Sequence, residues 1–395
     1  MSRYRLDPAP GQVAGLAEHC GHARFVWNLA VEQQSWWTPY RGKAPNHLKR
    51  CRQLTVARAE FDWLRAGSQM VQQQALRDFD QTMRNFFRGS HRRPVYRKRG
   101  QSEGFQVVGR HARVEKLNRK WSRCWVPKVG WVKFRVSRTV PGFRSYRIAR
   151  DRAGRWHVAF AGAPAPGDGP GTGEVVGVDR GVKVSAALST GQLLRCPGLR
   201  PKETERLRRL ARRLSRASRG STRRARLRGQ VARVKARQAD RRKDWVEKTS
   251  TDLARQFDLI RAEDLNILGM TRSARGTVAE PGRNVAQKAG LNRSILAAGW
   301  GLLVQRLEHK APGRVEKVPA AYTSQRCSVC GHTASGNRES QAVFRCVACG
   351  HTANADINAA CDIAAGRAVN ARGGTALALP VNREPQHHAP PLVGA

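Results

Sequence analysis

Four of the nine cysteines fall into two matching patterns, CSVCGH at 327–332 and CVACGH at 346–351. Two CxxC pairs, with 15 residues between Cys330 and Cys346, match a tetrahedral four-cysteine zinc ribbon. Each pair supplies two thiolates at about 2.3 Å from the metal, and the glycine after it permits the tight turn. His332 and His351 are spare ligand types, but Cys327, Cys330, Cys346 and Cys349 already close the coordination sphere. The competing chemistry, a redox CxxC, needs one pair beside a βαβ pattern. A closed site of four thiolates is structural, so one Zn2+ is expected to hold a fold together and take no part in catalysis. The remaining cysteines (20, 51, 124, 196 and 361) follow no spacing and are expected to be small buried hydrophobes. Three carboxylates form a second set: Asp179 ends the apolar run EVVGVD, Glu263 ends FDLIRAE, and Asp356 opens NADINAACDI. Singly, each fits a helix cap or a strand-end surface charge. Brought together, such carboxylates would be hard oxygen ligands suited to Mg2+, whereas soft thiolates select zinc, so the two metal sites would be chemically separate.

Taken together, a strand-Asp, a later strand-Glu and an Asp on a closing helix resemble an RNase H-like nuclease. Such a fold gathers three carboxylates around two Mg2+ ions about 3.5–4 Å apart. One ion activates the attacking water and the other stabilises the leaving oxygen in an in-line displacement at phosphorus.

Positioning these residues requires several elements. Residues 1–7 predict a short strand, and residues 10–37 and 46–66 predict helices. In the segment 68–89, Val71, Ala75, Leu76, Phe79, Met83 and Phe86 recur at three- and four-residue steps, with Ser68 as cap and Gly89 as stop. Beyond Arg99, WVKFRVS, SYRIARD and RWHVAF alternate apolar and polar residues between turns, predicting an all-β module, a small barrel. A Gly/Pro/Ala-rich linker ends at Glu174. Two strands joined by a turn around Gly181 follow. FDLIRAEDL predicts a buried strand and residues 291–310 a helix. After about Arg367 the composition predicts a disordered tail.

The chain has 395 residues, with 73 Lys+Arg against 29 Asp+Glu for a net charge of +44. Hydrophobic residues make up 40%, enough for a core, which excludes a wholly disordered basic protein. A chain this cationic requires a polyanionic partner, with an anionic membrane as the rival to nucleic acid. No apolar run approaches the ~18 residues of a spanning helix, and MSRYRLDPAP lacks a signal-peptide apolar segment. A cytoplasmic bacterial protein without membrane contact, nucleoid-associated when on DNA, is expected. Residues 201–243 carry 18 Lys+Arg and 3 acidic residues, with Leu207, Leu210 and Leu214 at helical spacing. They predict a basic helix whose unneutralised charge would oppose its own folding without nucleic acid. RGSHRRPVYRKRG (88–100) is a second basic stretch. The tryptophans at 27, 36, 37, 63, 121, 125, 131 and 156 are expected mostly to pack in cores.

YRLDPAPGQ with ARFVWN, then GVDRGVKVSAALSTG, AEDLNILGM, YTSQRCSVCGH and CVACGHTANADINAA occur in this order. With these motifs the chain resembles the TnpB family, transposon-encoded RNA-guided DNA endonucleases related to small type V CRISPR effectors. The resemblance runs from about Tyr4 to Ala365 and is densest between Gly177 and Ala360. It implies Asp179, Glu263 and Asp356 as RuvC-type catalytic residues and Mg2+ ligands. Cys327, Cys330, Cys346 and Cys349 would be the zinc ligands. The implied fold is multidomain α+β. A helical recognition domain (8–90) is inserted in a β-barrel wedge domain (1–7 and 91–163). A linker (164–174) leads to an RNase H-like RuvC α/β domain (175–320 and 352–370) with an inserted four-cysteine zinc ribbon (321–351) and a disordered tail (371–395). The implied partners are a guide RNA derived from the element and double-stranded target DNA with a short flanking motif, bound by a protein monomer or dimer on RNA. Two positions depart from the pattern or complicate it: Asp264 neighbours Glu263, and Cys361-Asp362 stand where relatives often carry a basic and an amide residue. The rival functions are a small type V CRISPR effector nuclease and a non-cleaving RNA-guided DNA-binding or transposition accessory protein.

Overall fold

The computed structural model describes residues 2–38, 40, 44–162 and 169–366. The first part of the expected linker and the tail at 371–395 lie outside the described residues. The chain divides into two compact units, Met1–Gly167 with Pro197–Lys248, and Asp168–Cys196 with Thr249–Ala395.

The first unit opens with β1 (Ser2–Asp7), followed by α1 (Pro10–Ser35), α2 (His47–Glu60), α3 (Asp62–Ala66) and α4 (Gln69–Phe87). Six strands follow: β2 (Gly104–Val108), β3 (Val114–Lys116), β4 (Trp121–Val126), β5 (Gly130–Arg135), β6 (Ser145–Arg150) and β7 (Trp156–Phe160). With β1 they form an antiparallel sheet in the order β2-β6-β7-β1-β5-β4-β3. Sheet and helices share one core. On α4 the predicted stripe Val71, Ala75, Leu76, Phe79 and Met83 is buried, and Trp27 of α1 meets Phe79 edge-on at 5.5 Å. The expected barrel is corrected to an open sheet among the described residues, because its edge strands β2 and β3 are not paired with each other. Cys20 and Cys124 are buried as expected, whereas Cys51, Cys196 and Cys361 are only partly so. Trp27 and Trp156 are core residues, and of the eight tryptophans expected to pack in cores only Trp36 and Trp63, at 61% and 47%, are exposed.

The basic run folds as two helices, α5 (Pro201–Ser215) and α6 (Thr222–Gln256). Leu210, Leu227 and Val234 are buried between them, with Leu207 and Leu214 packed alongside. Arg241 grips Glu203 through two hydrogen bonds of 2.6 and 2.9 Å. Arg224 donates to the Leu214 and Ala217 carbonyls at 2.8 and 2.7 Å, satisfying the end of α5.

The second unit is built on β8 (Val175–Asp179), β9 (Ala186–Leu188), β10 (Leu193–Leu194), β11 (Leu259–Glu263) and β12 (Val315–Val318), in the order β10-β9-β8-β11-β12. β8, β11 and β12 are parallel, and β9 and β10 antiparallel. α7 (Ile267–Met270), α8 (Val285–Ala298) and α9 (Trp300–Lys310) lie between β11 and β12, and the single helix expected at 291–310 is interrupted at Gly299. A two-stranded ribbon of β13 (Val343–Arg345) and β14 (Thr352–Asn354) leads into α10 (Ala355–Ala364). Among the described residues no helix is long and apolar enough to cross a membrane.

Candidate active site and cysteine cluster

The apolar residues of β8 and β11 seat two of the three carboxylates. Val176, Val178, Ile260 and Ala262 are fully buried, as expected of parallel strands covered on both faces. Val178 is the register partner of Ala262, so the next residues, Asp179 and Glu263, emerge side by side at the C-terminal ends of neighbouring strands. That is where open α/β sheets place their ligands.

The third carboxylate comes from α10, which crosses β8 at close range. A Cβ on Gly177 would collide with the Ala360 carbonyl oxygen and the Ala364 amide of that helix. Both ends of α10 are tied. The Asn354 side chain accepts from the amides of Asp356 and Ile357, and Arg261 donates to the Ala364 carbonyl at 2.6 Å. Asp356 thus sits in the first turn, where the helix dipole favours a negative charge.

Burial, then the charges of Glu263 and Asp356, push the Asp179 carboxyl up to about 7, with Arg338 acting against them. Burial also raises Glu263, while a hydrogen bond from Thr323 and the Arg180 guanidinium pull it back. Thr323 Oγ1 donates to Glu263 Oε1 at 2.8 Å. Arg180, 6% exposed, donates to the Glu263 backbone carbonyl. Arg338 reaches Asp356 at 3.5 Å. The neighbour Asp264 is exposed, whereas Glu263 is buried. Three carboxylates brought together in a buried recess offer the hard oxygen donors that suit a divalent cation.

The four cysteines are drawn together: their sulfur atoms all lie within 4.8 Å of one another, a set that could hold a metal ion. In each knuckle the glycine amide returns to the first cysteine's carbonyl, Gly331 to Cys327 at 2.9 Å and Gly350 to Cys346 at 3.0 Å. Both glycines have a positive φ, 77° and 71°, which side chains resist. Backbone amides of Cys349 and Ala348 lower the Cys346 thiol, while, against the His351 amide, the neighbouring sulfurs of Cys330, Cys346 and Cys327 raise Cys349, so the crowded thiols share their protons. Buried Asn337 joins the knuckles, donating to the Gln325 and His332 carbonyls and accepting from the Val347 amide. The histidines at 332 and 351 are outside the cluster.

Arg180, Thr323 and Arg338 complete the carboxylate site, yet the sequence singles out neither arginine. Among 73 basic residues no spacing marks them. Thr323 stands out only by preceding the first CxxC.

In the first unit, exposed Arg99, Arg152, Arg228 and Lys235 ring an open cavity of about 650 Å³ floored by Leu214 and Val231. Arg97, from the same basic stretch as Arg99, is instead consumed in packing. It stacks 3.5 Å over the Trp27 ring, its backbone exchanges two hydrogen bonds with the Asn28 side chain, and burial lowers it to about 10.

Residues 166–274 match a family model described as a probable transposase, 300–363 a Cas12f1-like TNB domain, and 2–43 a helix-turn-helix domain. The chain is 36% identical to InsQ of Escherichia coli strain K12 over 383 residues, covering 94% of this chain and 93% of that one. The chain belongs to the TnpB family. A second TnpB relative, from Streptomyces pristinaespiralis, is 30% identical over 94% of this chain and 90% of its own. Both relatives are named as RNA-guided DNA endonucleases. The fold is that of the protein in a Cas12f1-sgRNA-target DNA complex, with a TM-score of 0.52 at 14% identity, covering 88% of this TnpB chain and 81% of that one.

Proposed function

We propose that this TnpB protein is an RNA-guided DNA endonuclease. Asp179, Glu263 and Asp356 would be its catalytic residues and the ligands of two Mg2+ ions, and Cys327, Cys330, Cys346 and Cys349 would hold one structural Zn2+. The observation that carries the reading is the convergence of β8, β11 and α10, by which Glu263 and Asp356 each hold a proton more firmly on Asp179. The mixed sheet with α10 across it supports an RNase H-like, RuvC-type domain with the cysteine ribbon inserted before its last helix. Residues 2–162, with their open sheet, would serve as the wedge and recognition parts.

When bound, a pair of Mg2+ ions supplies activation of water and charge stabilisation on the leaving oxygen of a phosphodiester. The chain's own residues do the rest. Thr323 holds one oxygen of Glu263 in place through its hydrogen bond. Arg180 anchors the end of β11. Arg338 offers a guanidinium to a scissile phosphate beside Asp356. The exposed arginines of α5 and α6 grip duplex phosphates, while base pairing with the guide reads the target sequence and the protein reads the flanking motif. A further match, 54% identity over 65 residues to a Cas12f1 endodeoxyribonuclease of Sulfoacidibacillus thermotolerans, spans 16% of this chain. It is consistent with shared nuclease chemistry over that stretch.

The test is to purify the protein with RNA transcribed from DNA flanking its gene, sequence that RNA, and offer plasmids carrying the complementary target beside randomised bases. Cutting should follow the guide, moving to a new target when the guide segment is rewritten. Cutting that ignores the guide would refute the reading.

A further inference from the structure

We propose that Asn358 and Asp362 of α10 form a latch on the first cysteine knuckle, through which metal binding at the cysteine cluster sets the position of Asp356. The inference rests on the reading of Asp356 as a Mg2+ ligand and of the cysteines as a zinc site.

Asn358 and Asp362 are four residues apart, hence on one face of α10, and they are 1% and 2% exposed. Asn358 is fully engaged. Its Oδ1 accepts from the Ser328 amide at 3.0 Å and the Ser328 hydroxyl at 2.9 Å, and its Nδ2 donates to the Arg326 carbonyl at 2.7 Å. One turn on, Asp362 pairs with the Arg326 guanidinium at 3.2 Å. The grip therefore brackets Cys327, a buried member of the cysteine cluster, from both sides. Ala355, the residue before Asp356, is itself packed in a small core with Cys327, Cys346 and Phe344, and its amide donates to the Ala342 carbonyl at 2.9 Å. The opposite side of the helix rests on β8 at Gly177. A ten-residue helix held this way moves with the knuckle, and Asp356 moves with the helix. Groups that orient ligands from behind typically change metal affinity by about 10–100-fold when removed. Asp362 gives this latch an ionic half, a buried charge that meets Arg326.

The complete RNA-loaded protein is compared with its Asn358→Ala, Asp362→Asn, Arg326→Gln and Asp362→Asn/Arg326→Gln variants. Two readouts are used: zinc transfer to a chromogenic chelator, and Mn2+ binding at the carboxylates by electron paramagnetic resonance. Asn358→Ala should release zinc about tenfold faster and bind Mn2+ several-fold more weakly. The double variant should be no worse than the poorer single one, the non-additivity of a directly paired couple. Removing zinc from the unmodified protein should weaken Mn2+ binding. Should Asn358→Ala fail to fold, Ser328→Ala, which deletes only the hydroxyl's hydrogen bond, supplies the same comparison. Asp356→Ala separates the two claims: it should lose Mn2+ binding while keeping the zinc release rate. Wild-type zinc release in the latch variants, or Mn2+ affinity indifferent to zinc, would overturn the latch. Undiminished Mn2+ binding by Asp356→Ala would instead sink the catalytic assignment.

Discussion

In the proposed mechanism Asp179 is the residue on which the chemistry would turn; its carboxyl is pushed up to about 7 by burial and by two like charges. If Asp179 is a ligand as proposed, a divalent ion would have to displace that proton, so Mg2+ or Mn2+ affinity should climb about tenfold per pH unit below about 7 and level off above it. Isothermal titration from mildly acidic to mildly alkaline buffer measures this. The same shift has a stability sign. The folded value lies above the unfolded one, so metal-free protein loses stability as pH rises from about 4 to about 7, on the order of 4 kcal/mol at most from this group. Added Mg2+ should therefore raise the melting temperature in alkaline buffer far more than in acidic buffer. Thr323 is the second test at this scale: Thr323→Val removes the hydrogen bond to Glu263 and should slow cleavage about tenfold, the worth of a bond to a charged group. Thr323→Ser should restore most of it.

Among the elements, β8, β11 and α10 are legible in the sequence because each announces itself twice: an apolar run or helix start, then a carboxylate at its edge. The cysteine ribbon is legible from spacing alone, and the basic run from its leucine period, though its division into α5 and α6 is not. The barrel is misjudged because alternation fixes strands and faces but not whether edge strands meet. Arg180, Arg338 and the Asn358–Asp362 grip are illegible for another reason: they join residues of common type that lie far apart along the chain. Gly177 belongs at this scale. An added methyl there meets backbone atoms of α10, which cannot swing aside, so Gly177→Ala should destabilise by about 1–3 kcal/mol, as overpacking does. It should also depress cleavage by lifting Asp356; chemical denaturation and cleavage rates report the two effects.

For the whole molecule the governing quantity is a net charge of +44, set against exposed arginines that line the α5–α6 hairpin and its cavity. Such a surface binds RNA largely by counterion release, so affinity should fall steeply with salt. Replacing Arg228 and Lys235 by Glu should weaken guide-RNA binding. It should also reduce the log–log salt slope by about 1 for each phosphate left without its cation, as filter binding from roughly 50 to 200 mM salt would record. An unchanged slope would remove that cavity from the RNA path. The most direct measurement is cleavage of a guide-matched plasmid by RNA-loaded protein and its Asp179→Ala, Glu263→Ala and Asp356→Ala variants, with bound RNA quantified in each. All three should keep their RNA and lose cutting; any one of them cutting at the unmodified rate would contradict the three-carboxylate site.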